Sequence, residues 1–207
     1  MSPASSLTQE VALDLVGIRD AIRKKYAEVS GTAANKFNYP TGKEGAALQG
    51  YDLKILVNMP DELIESFCGV GNPFRLGQIK PEETVLDIGC GAGFDMIVAS
   101  NLVGRKGKVC GIDITPEMLE KAKRNLALAA ASAYDVRIGG AEEIPYDEGT
   151  FDIVTSNGVL NLSPLKDKSF KEIYRVLKPA GRLQFADIVL KEGQSASGSN
   201  RPEDWSN

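Results

Sequence analysis

Residues 84–95 read T-V-L-D-I-G-C-G-A-G-F-D, and they decide the fold of this chain. The stretch opens with a short apolar run that contains β-branched residues, Thr84–Ile88, which predicts a buried strand. A helical pattern begins at Phe94, and glycines lie at three alternating positions between the two. A strand that ends in a glycine loop before a helix lets the backbone approach a ligand closely at the carboxyl end of a sheet. The stretch therefore predicts a ligand-binding loop; the alternative is a tight structural turn.

The spacing of the glycines separates two kinds of ligand. The fingerprint of dinucleotide-binding proteins is G-x-G-x-x-G, and its third glycine would fall at Phe94. This chain instead has G-x-G-x-G, formed by Gly89, Gly91 and Gly93. The acidic Asp87 stands in the end of the preceding strand. This combination is typical of enzymes that use S-adenosylmethionine (SAM), and it leaves a nicotinamide enzyme as a weaker alternative.

A second carboxylate follows the next predicted strand. That strand covers Lys108–Ile112, and Asp113 stands at its end, 24 residues after Gly89. Nucleotide-binding folds place a ribose-binding acid about 20 residues beyond the glycine loop, at the tip of the next strand. The alternative role, capping the following helix, is better filled by Thr115, because Pro116 occupies the first helical position. We therefore expect Asp113 to bind the ribose hydroxyls.

Composition places the chain among ordinary globular proteins. Hydrophobic residues make up 43% of the chain and charged residues 25%, which is ordinary for a globular protein. A length of 207 residues is enough for one domain with a full core. No run reaches transmembrane length and the N-terminus lacks a signal-peptide pattern, so we expect no membrane association. The net charge is −4, and the short basic cluster between Arg19 and Lys25 is typical of a solvated helix face. We therefore expect no nucleic-acid partner.

The reactive residue types narrow the chemistry. The three cysteines, Cys68, Cys90 and Cys110, form no C-x-x-C pair, and an odd count without a signal peptide predicts a reducing, cytoplasmic location. The chain has no histidine, which excludes Ser-His-Asp, Cys-His and zinc–histidine chemistry. Methyl transfer from a sulfonium is compatible with that absence, because a good nucleophile needs no dedicated base.

Residues 1–75 are predicted to form a helical cap that precedes the sheet. Residues 8–30 repeat apolar side chains at steps of three and four, which indicates one helix face packed on the core. Residues 31–50 contain four glycines and a proline and predict a loop, and a second helical region is expected over Tyr51–Phe67. The cap is a natural lid over a ligand site. Three of its tyrosines either line that lid or only pack: Tyr26, Tyr39 and Tyr51.

From residue 84 onward strands and helices alternate, which predicts a doubly wound, mostly parallel sheet of the α/β class. The predicted strands are Thr84–Gly89, Lys108–Asp113, Tyr134–Gly139, Phe151–Asn157 and Arg182–Val189. The predicted helices are Phe94–Val103, Pro116–Ala131 and Lys166–Leu177. Gly104 and Gly181 follow helix ends, where a left-handed residue is expected. We assign residues 76–190 to this core and residues 191–207 to a polar, mobile tail.

In its motifs the chain resembles class I SAM-dependent methyltransferases with a Rossmann-like fold, and within them the arsenite methyltransferase branch. The resemblance runs from about Ile18 to the end. Its pieces are G-V-G-N-P (69–73), V-L-D-I-G-C-G-A-G-F-D (85–95), G-K-V-C-G-I-D-I-T-P-E-M-L-E-K-A (107–122), S-N-G-V-L-N-L-S-P (156–164) and R-V-L-K-P-A-G-R-L (175–183). The glycine loop and Asp113 are specific for SAM binding, and the S-N-x-V-x-N-L-S-P stretch narrows the match to the branch.

The resemblance implies a set of cofactor-binding residues. In chain order they are Asp87, Gly89, Cys90, Gly91, Gly93, Asp113, Ile114, Ala141, Glu142 and Asn157. The glycine loop with its preceding acid holds the methionine part of SAM, and Asp113 takes the ribose with Ile114 beside the adenine. Ala141 and Glu142 face the adenine, and Asn157 lines the reaction centre as the catalytic residue.

Three of these assignments have an ordinary structural alternative. Cys90 is also explained as a small buried apolar residue. Glu142 is also explained as a surface charge, and Asn157 as a residue that caps or turns the chain.

The chain departs from the arsenite branch where arsenic ligands would lie. Arsenite methyltransferases hold trivalent arsenic on cysteine thiolates, which are soft ligands for a soft centre. At two positions where the branch has cysteines, this chain has Val70 and Gly158. An upstream loop that carries a cysteine in the branch corresponds to residues 31–50, which contain no cysteine. A further cysteine of the branch lies beyond Asn207, and only Cys68 is near the right place. We therefore expect no metal site and a methyl acceptor other than arsenite.

The number of strands also differs from the resembling class. A complete class I sheet has seven strands and this sequence supplies five, so Arg182–Val189 would form an exposed edge. Three explanations stay open: a truncated chain, a tail that folds over the edge, or a partner. A homodimer through this edge is the partner arrangement that a complete chain would allow.

We expect a SAM-dependent methyltransferase that transfers a methyl group by direct in-line displacement to a small-molecule acceptor and releases S-adenosylhomocysteine (SAH). The N/D-P-P-Y/F motif of many amino-group methylases is absent at the fourth strand, where S-N-G-V stands, which disfavours DNA bases. Two alternatives stay open. One is an arsenite methyltransferase-like enzyme with an altered metalloid site, and the other is a SAM-binding protein that regulates without turnover.

Overall fold

The computed structural model describes residues 14–56, 61–131, 133–189 and Trp205. Its strands are β1 (Thr84–Ile88), β2 (Lys108–Asp113), β3 (Ala133–Ile138), β4 (Phe151–Asn157) and β5 (Leu177–Ala186). They form one sheet in the order β3-β2-β1-β4-β5, in which every neighbouring pair is parallel. The predicted doubly wound α/β sheet is confirmed.

Helices precede the sheet and connect its strands. They are α1 (Leu15–Gly31), α2 (Gly42–Leu48), α3 (Asp61–Ile64), α4 (Phe94–Val103), α5 (Pro116–Leu128) and α6 (Lys166–Val176). α4 has the predicted bounds, and α5 and α6 end slightly earlier than predicted. Within the described ranges, no helix combines the length and the apolar character that crossing a membrane requires.

The central strands are apolar because helices cover both faces of the sheet. Val85 of β1 packs with Ile97 of α4 and with α5 on one face. Leu86 and Ile88 point the other way and pack with Ile173 of α6. Each of these side chains is at least 98% buried, and full burial of such a side chain contributes about 1.5–3 kcal/mol. The alternation along β1 therefore fixes which side chains face each of the two helical layers.

The cap differs from its predicted structure. The prediction of a loop over residues 31–50 is wrong, because α2 lies inside that range. Its glycines permit tight packing: a Cβ on Gly45 would clash with the carbonyl oxygen of Pro40. The predicted helix over Tyr51–Phe67 is replaced by a 3-10 turn and the short α3, with residues 57–60 outside the described part.

β5 begins earlier than the predicted Arg182–Val189, since the chain passes from α6 directly into the strand. The ladder with β4 shifts register once near its start. Ala180 takes a positive φ of +64° there, and Gly181 lies inside the strand, so the prediction of a left-handed Gly181 is wrong. Gly104 does have a positive φ, +69°, directly after α4, as predicted.

β5 is one of the two edge strands of the described sheet and lies next to β4. The predicted tail over residues 191–207 lies outside the described part except for Trp205, whose ring centroid is 5.5 Å from Lys166 Nζ. Residues 8–13 of the predicted first helix also lie outside it. The tail and the covering of this edge therefore stay predictions.

Candidate functional site

The loop between β1 and α4 has a backbone that permits close approach of a ligand. Gly89, Gly91 and Gly93 have positive φ values of +68°, +50° and +85°. A Cβ on Gly89 would clash with the side chain of Val159, whereas one on Gly91 would meet no atom within 4 Å. Gly89 is therefore required by packing, and Gly91 leaves its backbone open beside the cleft described below.

Asp113 stands at the end of β2 and is tied to this loop. Its carboxylate accepts hydrogen bonds from the Gly91 N–H at 3.0 Å and from the Thr115 N–H at 2.8 Å. The side chain is buried, and burial raises its pKa while the N–H groups oppose that change. Each carboxylate oxygen keeps lone-pair capacity for ligand hydroxyls. Thr115 does occupy the N-cap of α5, but its hydroxyl makes no capping hydrogen bond. The expectation that Thr115 rather than Asp113 caps this helix is therefore corrected.

Glu142 follows β3 and is buried, so the alternative of a surface charge is wrong. Its Oε1 accepts a hydrogen bond from the Ser163 hydroxyl at 2.7 Å. Its Oε2 lies 3.7 Å from the Arg19 guanidinium of α1. A buried carboxylate with one hydroxyl and one cation beside it retains capacity to accept a hydrogen bond from a bound ligand.

These groups line one cleft at the carboxyl edge of the sheet. The predicted site residues that line it are Gly89, Gly91, Asp113, Ile114, Ala141, Glu142 and Asn157. The others, Asp87, Cys90 and Gly93, are not among its lining residues. The structure thus brings the ends of β1, β2, β3 and β4 together around one space, as expected of a doubly wound sheet.

Asp87 is buried within β1. Its Oδ1 accepts a hydrogen bond from the Thr155 hydroxyl at 2.8 Å. Burial raises its pKa well above the ordinary value, and the nearby Asp95 carboxylate raises it further. Asp87 therefore lies two residues before Gly89 without lining the cleft, and a positive charge nearby would favour its ionised form.

Asn157 ends β4 and lines the cleft, but its amide is occupied by protein groups. Its Oδ1 accepts from the Val70 N–H at 2.8 Å and the Gly71 N–H at 3.1 Å. Its Nδ2 lies within hydrogen-bond distance of Asp95 Oδ2 at 3.0 Å and of the Tyr51 hydroxyl at 3.1 Å. The Asn157 amide therefore clamps the 69–71 loop against the sheet.

Asp95 completes this clamp and was missed by the sequence analysis. Its Oδ1 accepts a hydrogen bond from the Tyr51 hydroxyl at 2.7 Å, and the carboxylate is buried. A signal was present, because Asp95 is the only acid in the apolar helix α4, F-D-M-I-V-A-S-N-L-V. A buried charge in such a helix requires partners, and its partners identify the network.

Helix α1 supplies a further wall of the cleft. From the sequence this helix is expected only as part of a lid. Arg19, Ile22 and Tyr26 line the cleft from α1. The Arg23 side chain donates a hydrogen bond to the Ile114 carbonyl at 3.1 Å, and Lys121 of α5 donates to the Ser30 carbonyl at 2.9 Å. These contacts fix α1 against α5 beside Asp113.

Val70 and Gly158, the two positions at which the resemblance to the arsenite branch leads us to expect cysteines, lie next to each other. A Cβ on Gly158 would lie 3.2 Å from Val70 Cγ1. Cys68 is half-buried and lines the cleft, whereas Cys90 and Cys110 are buried in the core. Among the residues that the structure describes, no three His, Cys, Asp or Glu side chains are arranged to hold a metal ion.

Comparison with known proteins agrees with this geometry. A family model described as "Methyltransferase domain" matches residues 79–206. The arsenite methyltransferase of Halobacterium salinarum is 40% identical over 149 residues, which cover 72% of this chain and 38% of that protein. The demethylmenaquinone methyltransferase of Lactococcus lactis is 40% identical over 100 residues, which cover 48% of this chain and 40% of that protein. The chain thus spans less than half the length of these relatives.

Solved structures share the fold. An arsenic(III) S-adenosylmethionine methyltransferase from Chlamydomonas reinhardtii has a TM-score of 0.59 at 39% identity, covering 65% of this chain and 47% of that one. A SAM-dependent methyltransferase from Aquifex aeolicus has a TM-score of 0.53 at 29% identity, covering 65% of this chain and 71% of that one. The fold is the Rossmann-like fold of class I methyltransferases. Because the family model covers more than half of the sequence, this chain belongs to the methyltransferase domain family.

Proposed function

We propose that this chain is a SAM-dependent methyltransferase that acts on a small-molecule acceptor. The observation that carries the proposal is the position of the Asp113 carboxylate, buried at the end of β2 and hydrogen-bonded to the Gly91 N–H of the glycine loop. That arrangement fits a ribose beside an open glycine backbone. An adenosyl group would lie between Asp113 and the Ala141–Glu142 segment.

The residues of the chain position the reactants. Asp113 would hold the ribose, Gly89 and Gly91 would approach the methionine part, and Glu142 would face the adenine. When bound, SAM would supply an electrophilic methyl group. The acceptor's lone pair would bond to the methyl carbon while the electron pair of the S–CH₃ bond stays on sulfur, which gives SAH, and an acidic acceptor would lose its proton to water. Orientation of this kind contributes about 7–11 kcal/mol of barrier reduction.

Substitution of Asp113 tests the assignment. Asp113→Asn replaces one carboxylate oxygen, which accepts a hydrogen bond from a backbone N–H, with an NH₂ group that can only donate. The affinity for SAM, measured by calorimetry, should therefore fall about tenfold or more. Asp187→Asn is the matched control, because Asp187 also accepts from two backbone N–H groups, those of Asn161 and Ile188, but does not line the cleft. Equal loss in both variants would contradict the assignment.

Turnover is tested with labelled SAM and a panel of thiols, metalloids and small metabolites. Transfer to any acceptor above the rate without protein supports the enzyme. SAM binding without transfer supports the second candidate, a regulatory SAM-binding protein. Protection against thermal unfolding by NAD and not by SAM would support the nicotinamide alternative.

We propose further that arsenite is not the acceptor and that no metal takes part. The apolar contact between positions 70 and 158, where the arsenite branch has cysteines, leaves Cys68 as the thiol at the cleft. One thiolate cannot form a three-sulfur site. Methylated arsenic in the presence of arsenite, SAM and glutathione would refute this.

The remaining assignments are also proposals. The three free cysteines support action in the reducing cytoplasm. We assign residues 1–75 to a cap, 76–190 to the SAM-binding core and 191–207 to a tail, and we propose no nucleic-acid partner. Size-exclusion chromatography with light scattering tests a homodimer through the β5 edge.

A further inference from the structure

The cleft is lined by two chemically different sets of residues. The acids and the glycine backbone that we propose for the adenosyl group come from the ends of β1, β2 and β3. Much of the remaining lining comes from α1 and from the segment after β4, and most of it is apolar. We call this set the apolar wall; its members are Ile22, Tyr26, Gly158, Val159, Leu162 and Pro164.

Three polar side chains that line the cleft beside the apolar wall already have partners. The Arg19 guanidinium pairs with Glu142 at 3.7 Å. The Ser163 hydroxyl donates to Glu142 and lies 2.9 Å from the Ser169 hydroxyl. The Asn157 amide is occupied by the clamp on the 69–71 loop. Among the described lining residues, the one cation, Arg19, already faces Glu142, and the Asp113 and Glu142 carboxylates belong to the part of the cleft that we propose for the adenosyl group.

Two titratable groups that line the cleft, Cys68 and the wall residue Tyr26, are uncharged at neutral pH. Burial raises the pKa of the Cys68 thiol to about 12, and the Asp113 and Asp95 carboxylates act in the same direction. Burial also raises the pKa of the Tyr26 phenol well above its ordinary value. Cys68 and Tyr26 therefore offer polar but neutral atoms to a bound molecule.

A charge that enters such a wall loses its hydration and gains no ion pair, which is costly. We propose that the cleft takes an uncharged acceptor with an apolar body, bound against the apolar wall, and that it rejects acceptors that carry carboxylate, phosphate or ammonium groups. The proposal rests on the methyltransferase function proposed above and names the substrate class of that site.

Three probes with the same phenol ring test the proposal: 4-ethylphenol, 4-hydroxyphenylacetate and tyramine. Their dissociation constants are measured by calorimetry or NMR titration with the protein saturated with SAH. The neutral probe should bind at least about tenfold more tightly than either charged probe, which corresponds to about 1.4 kcal/mol. Equal or tighter binding of a charged probe, or no binding of any probe to the SAH complex, would overturn the proposal. Failure of SAH itself to bind would instead refute the proposed function.

A charge introduced into the wall should reverse the preference. Leu162→Arg should raise the affinity for 4-hydroxyphenylacetate about tenfold and lower that for 4-ethylphenol. Leu128→Arg is the control, since Leu128 is 69% exposed on α5 and does not line the cleft, and it should leave both affinities unchanged. Unchanged probe affinities in a Leu162→Arg protein that still binds SAH would overturn the proposal. If that variant does not fold, the comparison of probes on the unmodified protein still decides.

Discussion

The Asn157 side-chain amide donates a hydrogen bond to Asp95 Oδ2 at 3.0 Å, and this contact joins the end of β4 to the first turn of α4. The carbonyl oxygen of the same amide accepts from the backbone of the 69–71 loop. This loop near the end of the cap is therefore held against the end of β4 and the first turn of α4. We propose that Asn157 acts as a positioning residue in this arrangement. This proposal replaces the catalytic role that the resemblance implied for Asn157.

Asn157→Ala tests that positioning role. The substitution leaves the Val70 and Gly71 N–H groups without their acceptor and removes a donor from the buried Asp95. We expect the free energy of unfolding to fall by about 2–4 kcal/mol, because buried polar groups lose their partners. We also expect kcat to fall by about tenfold or more with a smaller change in SAM affinity, since the amide holds the loop and is not free for the cofactor.

Steady-state kinetics and chemical denaturation measure these two effects. Asn101→Ala, at an exposed position of α4, serves as the control and should change neither. If SAM affinity falls as much as kcat does, Asn157 contacts the cofactor and the positioning role is wrong.

Asp95 should make stability depend on pH in a defined direction. Burial raises its pKa in the folded protein to about 6, above the ordinary value of 3.8. Between these values the folded state binds more protons than the unfolded state, so this group's contribution to stability falls as pH rises from about 4 to about 6. The loss is complete above the folded-state pKa and amounts to at most about 3 kcal/mol.

Asp95→Asn removes that titration. Urea denaturation of both proteins from pH 4 to pH 7 should show a difference in unfolding free energy that shifts in favour of the variant as pH rises. Tyr51 and Asn157, which face Asp95, do not titrate in this range. The Asp87 carboxylate does interact with Asp95, so the dependence of unfolding free energy on pH also reflects the coupling between these two carboxylates. A pH-independent difference would show that Asp95 is not the group that titrates.

Gly91 should matter for ligand binding more than for folding. Gly91→Ala introduces a methyl group into open space beside the cleft, so its folding cost is limited to the positive φ, about 1–2 kcal/mol. Gly149→Ala is a matched control, because Gly149 has φ +60° and equally open surroundings but does not line the cleft. Thermal unfolding should show similar destabilisation in both variants. Calorimetry should show an SAH affinity about tenfold lower in Gly91→Ala alone; equal affinities would place the cofactor elsewhere.

The parts of the fold that follow local periodicity were predictable. β1, β2, β4 and α4 lie where the apolar runs and the helical pattern place them, because each is long enough for its own burial pattern to decide its structure. Asp113 followed from its place at the tip of β2.

The parts that tertiary contacts decide were not predictable. α2 lies in a segment with four glycines because Gly45 is needed for contact with Pro40, which a glycine count cannot show. The Tyr51–Asp95–Asn157 network joins residues 44 and 62 positions apart, so no local pattern reveals it. Arg19 reaches Glu142 only because α1 lines one side of the cleft.

The contact between Val70 and Gly158 leads to a gain-of-function prediction. A side chain at position 158 would lie 3.2 Å from Val70, so Val70→Cys with Gly158→Cys should place two thiols together, with Cys68 two residues from position 70. The positive φ of Gly158, +74°, should cost about 1–2 kcal/mol of stability. The double variant should bind trivalent arsenic, detected as protection of its thiols from a thiol reagent, because soft thiolates suit that centre. The Val70→Ser, Gly158→Ser protein has similar volumes without the sulfur and should bind no better than the unmodified chain. Equal protection in all three proteins would show that these two positions do not control access of arsenic to the cleft.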